Sequence, residues 1–97
     1  MKRLVIKPQA ASDLRAGRRW NEGQRAGLGD EFLEAAEELF QRLRQRPELY
    51  AEIGQGVRRC LLPRFPYHVY YRLREDRVVV LTVLHSKRHP DTWRLRI

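Results

Sequence analysis

The stretch FPYHVYYRL at Phe65 to Leu73, followed by VVVLTVLHSKRHPDTW at Val78 to Trp93, decides the fold of this chain. From Tyr67 to Arg74 the residues alternate. Tyr67, Val69, Tyr71 and Leu73 fall on one face and His68, Tyr70, Arg72 and Arg74 on the other, the period of a strand with one buried and one cationic side. Glu75 and Asp76 mark a short hairpin turn, although no glycine is there to fix its type. Arg77 to His85 is almost continuously β-branched or apolar, as expected of a strand covered on both faces in the middle of a sheet. Upstream, Gly54 and Gly56 precede another strand at Val57 to Leu62, and Pro63 and Pro66 break the chain after it.

Toward the N-terminus, Arg3 to Lys7 reads as a short strand stopped by Pro8, whose nitrogen cannot donate to a ladder. Over Gln9 to Arg25, Ala10, Leu14, Gly17 and Trp20 recur at helical spacing, with Gly17 weakening the stripe. Gly27 and Gly29 flank Leu28 in a turn between two helical patterns. The second pattern is the clearest: Phe32, Ala35, Ala36, Leu39, Phe40 and Leu43 form one apolar stripe. Asp30, Glu31 and Glu34 at its start and Arg42, Arg44 and Arg46 at its end complement the helix dipole, and Pro47 stops it. The expected fold is α+β in the order β-α-α-β-β-β, a helical hairpin packed on a small, mostly antiparallel sheet, and residues 1–97 form one domain.

The charge is uneven. From Val57 onward ten Lys or Arg face only Glu75, Asp76 and Asp91, a net +7, whereas the first 56 residues carry ten basic and nine acidic residues. The C-terminal half therefore carries a positive field able to attract nucleic acid, an acidic peptide or an anionic surface. Cys60 is the only cysteine, so no internal disulfide forms, and a reducing cytoplasm is the expected location. Leu4 to Ile6 is too short for a signal-peptide core, and Val78 to Leu84 is far short of a membrane helix.

Among chemical signatures, His85 and His89 stand four apart, but no further ligands flank them and Pro90 argues against a helix there, so no metal is expected. A hydrolase with paired carboxylates is not expected, since the C-terminal half has only the Glu75–Asp76 turn pair and Asp91 and the other acids lie mostly on amphipathic helices, and no phosphate-binding glycine loop or nucleophile elbow is present. What remains is a group of basic, histidine and tyrosine positions: Arg58, Arg59, Arg64, His68, Tyr70, Arg72, His85, Lys87 and Arg88. Strand alternation puts His68, Tyr70 and Arg72 side by side. Such a surface can bind phosphates and stack bases, or receive an acidic peptide. Phe65, Tyr67 and Tyr71 belong to the core by their alternation, while the pattern leaves Trp20 and Trp93 open.

The two quoted runs resemble the RelE/ParE superfamily of type II toxin–antitoxin toxins. The likeness extends to the opening strand, Asp13-Leu14, the Gly27 to Asp30 turn, Phe32-Leu33, Pro47 and Gly56-Val57-Arg58-Arg59. The Phe-Pro-Tyr run and the ending with His85, Arg88 and Pro90 are its most specific parts. The resemblance implies a growth-arresting toxin without a cofactor, silenced by a cognate antitoxin whose tail folds on binding. It assigns Arg58, Arg59, Tyr70 and Arg72 to the antitoxin-binding surface.

Two activities divide that superfamily. ParE-like members inhibit DNA gyrase by binding, and here Lys87, Arg88 and Trp93 would contact the target. RelE-like members cut mRNA on the ribosome, and in that case His68 or His85 would move the proton while Arg59, Arg72 and Arg88 neutralise the phosphorane. The gyrase-type reading is favoured. His68 occupies the position where an RNA-cutting member commonly carries arginine, no acidic or lysine base is evident on the preceding strand, and the long hairpin and Phe-Pro-Tyr run look like ParE. A third possibility is a degenerate member that only binds its antitoxin, which absence of growth arrest on expression would reveal.

Overall fold

The computed structural model describes residues 1–97. Strand β1 (Arg3–Ile6) leads into helix α1 (Pro8–Gln24), where Pro8 takes the first helical position and loses no useful donor. Helix α2 (Leu28–Gln45) returns antiparallel to it, and β2 (Glu52–Gly54), β3 (Val57–Leu61), β4 (Tyr67–Leu73) and β5 (Arg77–His85) complete the sheet. The strand order is β1-β5-β4-β3-β2. All neighbours are antiparallel except β1, which runs parallel to β5. A short 3-10 helix at Thr92–Arg96 ends the chain.

The sequence expectation held for the α+β class and for the long strands and helices. Three elements go beyond the sequence expectation: strand β2, a 3-10 turn at Pro47–Leu49 and the terminal 3-10 helix. Strand β2 has three residues and an irregular register, too short for alternation to show. It turns into β3 through Gln55 and Gly56, both at positive φ, the backbone of a tight hairpin. The terminal 3-10 helix likewise has no apolar period.

The hairpin itself is tighter than the glycine pattern suggested. Gly29 lies inside α2, not in the turn, and a Cβ there would stand 2.8 Å from the Arg18 carbonyl of α1. Gly27 is the helix cap at φ 89°. The Glu22 carboxylate of α1 accepts the backbone N–H groups of Gly27 and Gly29, satisfying two free donors of α2. These hydrogen bonds hold the Glu22 carboxyl below its ordinary value.

Every residue of the α2 stripe is buried, against Cys60, Leu62, Phe65, Tyr67, Val69, Tyr71, Val78, Val80 and Val83 of the sheet side. Burying each Leu or Phe stabilises by about 1.5–3 kcal/mol relative to exposure. Phe32 is the keystone, edge-on to Phe65 at 5.5 Å and to Tyr67 at 4.9 Å. The Tyr71 hydroxyl donates to the Pro47 carbonyl at 2.5 Å, tying β4 to the 3-10 turn that follows α2.

The opposite face of the sheet departs from expectation. Alternation predicts a cationic face, yet a second core of Val57, Tyr70, Leu81, Leu84 and Trp93 occupies it, with Ile53 and Val79 alongside. A register shift in the β4–β5 ladder, where Tyr70 pairs Thr82 and Tyr71 pairs Val80, leaves Leu81 as an extra residue on β5. The terminal 3-10 helix roofs this cluster through Trp93. No helix is long and apolar enough to cross a membrane.

Candidate functional site

Register sorts the basic positions into separate places. In the β3–β4 ladder Arg59 pairs Tyr70, Leu61 pairs His68 and Val57 pairs Arg72, so Arg59, His68, Tyr70 and Arg72 lie on the face away from the helices. Arg58 pairs Tyr71 and belongs to the helix side, where its guanidinium donates to the Tyr50 carbonyl at 2.6 Å. Tyr67 pairs His85, and their rings meet at 5.0 Å on the helix side as well. His68 and His85 are therefore on opposite faces of the sheet.

On the far face, two residues expected to meet partners are part of the architecture instead. Trp93, expected at the target surface, is 3% exposed. It is stacked against Tyr70 at 6.0 Å with the Arg94 guanidinium 4.8 Å over its ring. Tyr70, expected at the antitoxin surface, is buried by the same stack. Both reassignments follow from the 3-10 roof. Arg72 donates to the Gln55 carbonyl at 3.1 Å, bracing the β2–β3 turn, and Arg59 remains exposed. Burial holds His68 below the ordinary histidine value, and the nearby Arg59 lowers it further, so the ring is neutral at pH 7. Its cross-strand neighbour Leu61 is exposed and apolar, and no carboxylate hydrogen-bonds to His68.

A different arrangement forms at the C-terminal end of β5. Strand β1 pairs β5 only as far as Val80, and α1 covers the edge of β5 beyond it. Here Asp13 of α1 closes the ladder. Its carboxylate accepts the Val83 N–H at 3.0 Å and the Thr82 hydroxyl at 2.5 Å, and it pairs with Arg96 of the terminal 3-10 helix at 2.7 Å. The two charged side chains are 11% and 21% exposed, so this pair is sheltered from solvent where the other ion pairs are open. One residue thus fixes α1, β5 and the chain end together. In the sequence Asp13-Leu14 stands out only through the resemblance, because nothing local announces a contact made 83 residues away.

Above Asp13, α1 and the end of β5 enclose an open cleft of about 500 Å3 lined by Trp20, Tyr67, His85, Lys87 and Arg88. It continues into a recess of about 220 Å3 bordered by Asp13, Gly17 and Val83. Trp20 is 57% exposed. The Lys87 backbone N–H donates to His85 Nδ1 at 3.1 Å, so Nδ1 is an acceptor and Nε2 bears the ring N–H. Asn21, buried behind the cleft, donates to the Tyr67 hydroxyl at 3.3 Å and to the Gly17 carbonyl. The structure thus brings His85, Lys87 and Arg88 together with Trp20, whose role the sequence left open. No three His, Cys, Asp or Glu side chains cluster so as to hold a metal ion.

The fold is shared with solved toxins. A chromosomal ParDE toxin–antitoxin system from P. aeruginosa contains a chain with a TM-score of 0.67 and 18% identity, covering 90% of this chain and 98% of its own. The E. coli RelBE complex gives 0.69 and 16%, covering 91% and 100%. RelBE2 of Mycobacterium tuberculosis gives 0.62 and 19%, covering 87% and 96%. At such identities the likeness is one of fold. No protein of curated function matches the chain by sequence. The model of one family, the ParE toxin of the type II toxin–antitoxin system parDE, matches residues 4–90, and the chain therefore belongs to the ParE toxin family, within the RelE/ParE superfamily.

Proposed function

We propose that this protein arrests growth by binding and inhibiting DNA gyrase and is held silent by a cognate antitoxin. The observation that carries the binding reading is the separation of the candidate catalytic groups. Arg59, His68 and Arg72 face one side of the sheet, whereas His85 sits on the other, in the cleft with Arg88. An acid and a base working on one phosphodiester must both reach it within hydrogen-bond distance, and groups on opposite faces of a sheet do not. The endoribonuclease reading draws its support from His68, neutral and next to Arg59. No proton-transfer partner accompanies it. Membership of the ParE family weighs the same way.

Target contacts on this reading fall to Lys87 and Arg88, both exposed at the cleft mouth. For the antitoxin, Arg59 remains available, and an apolar groove of about 370 Å3 between the free edge of β1 and α2, lined by Leu4, Ile6, Leu33 and Phe40, suits the apolar anchors of a folding tail. The relatives of known structure include toxin–antitoxin complexes, which supports that partner. Expression in a sensitive host tests the assignment. Lys87→Ala with Arg88→Ala abolishes growth arrest, and His68→Ala retains it. Loss of arrest with His68→Ala alone points back to RNA cleavage.

A further inference from the structure

We infer that the cleft between α1 and the end of β5 binds an unpaired nucleotide of a single strand, the Trp20 indole stacking on its base and Lys87 and Arg88 holding its phosphate. Trp20 is the only aromatic side chain among the exposed large hydrophobics, and it lies beside cations. An indole plane left in water next to guanidinium and ammonium groups is the arrangement that stacks bases beside a phosphate.

The polar chemistry of the cleft points the same way, because it offers donors and withholds acceptors. Lys87 and Arg88 are cations, His85 accepts the Lys87 N–H at Nδ1 and so bears its ring N–H on Nε2, and Tyr67 uses its hydroxyl oxygen to accept from Asn21, which leaves the O–H free to donate. The one carboxylate nearby, Asp13, is already spent on Arg96, Thr82 and Val83. A ligand here must bring negative charge and acceptor atoms together with a flat apolar face. One nucleotide supplies all of these in a single unit, while an acidic peptide must supply them from separate side chains. A cleft of about 500 Å3 is large enough for one unpaired nucleotide, and a base paired and stacked in a duplex has no free face to offer the indole.

The site is also preformed. The Lys87 N–H and the Tyr67 ring orient His85, and Asp13 anchors the strand end beneath it. The inference deepens the reading of Lys87 and Arg88 as target contacts, and holds for a DNA strand on gyrase or an RNA strand on the ribosome.

The test is fluorescence anisotropy of the full-length protein with a labelled five-nucleotide oligoadenylate, in DNA and RNA forms. Binding of at least one form is expected, and the form that binds names the strand. Trp20→Ala weakens binding by roughly 5- to 150-fold, the worth of one stacked base, and Trp20→Phe, which restores a ring, recovers part of it. Lys87→Ala with Arg88→Ala lowers the dependence of log K on log salt by about 0.7, the value for the one phosphate they hold. All three side chains project from the surface, so circular dichroism should show an unchanged fold. Three results overturn the inference: no binding of either strand, unchanged affinity in Trp20→Ala, or a blunt duplex of matching length binding as tightly as the single strand. Gyrase is absent from this assay, so its failure leaves the gyrase reading to the supercoiling measurement, and failure of gyrase inhibition leaves strand binding intact.

Discussion

Gly17 shows how a residue can look like a defect in the sequence and be a requirement in the fold. It interrupts the stripe of α1, yet it is buried, and a Cβ at that position would stand 2.5 Å from the Phe32 ring. That ring cannot retreat, being held between Phe65 and Tyr67. Gly17→Ala should therefore destabilise the protein by about 1–3 kcal/mol, the usual cost of overpacking, although alanine is the better helix former. A urea midpoint equal to or above that of the parent would contradict this packing. Titration of buried groups gives a second prediction. Burial pushes the Cys60 thiol from 9.0 up to about 12 and raises Tyr71 well above its ordinary 10.0. Groups held neutral in the fold contribute stability below their unfolded values, and that contribution is lost as pH rises through them toward the folded values. The urea midpoint should fall from about pH 9 upward, and in Cys60→Val the fall should begin nearer pH 10, where Tyr71 titrates. An unshifted onset would exclude Cys60 as its cause.

Helix α2 was legible because its stripe repeats through four turns, so that each position confirms the next. Strands β4 and β5 were legible for the same reason. Strand β2 and the terminal 3-10 helix were not, since each is too short to show a period and each is defined by what it packs on. The consequence was largest on the far face, where alternation correctly separated Tyr70 from Tyr71 but could not reveal a roof supplied by Trp93. Two linkages hold that roof: the Tyr70–Trp93 stack and the Asp13–Arg96 pair. Removing the carboxylate strands the Arg96 charge, the Thr82 hydroxyl and the Val83 N–H, a loss of about 2–3 kcal/mol. Asp13→Ala should also loosen the 3-10 helix, seen as a red-shifted and more quenchable Trp93 emission in a Trp20→Phe background. Emission unchanged from that background would show that the stack holds the element without Asp13.

For the whole molecule, the charge asymmetry correctly located the basic half, and the resemblance carried in Phe65 to Trp93 led to the family. Composition could not say that a sheet would divide the basic residues, because facing is a property of register. The division placed Arg59 and His68 behind the helices' back and gathered His85, Lys87 and Arg88 around an exposed Trp20 that had carried no assignment. The same division shares Phe65 to Trp93 among two core strands, a roof and one wall of a cleft. On the function proposed above, this ParE family member acts by binding and not by cutting. Supercoiling by purified DNA gyrase, measured beside ribosome-dependent mRNA cleavage with and without the antitoxin, tests it most directly. Loss of supercoiling that the antitoxin reverses, with mRNA left intact, is the expected result; cleaved mRNA with supercoiling unaffected would overturn the binding reading.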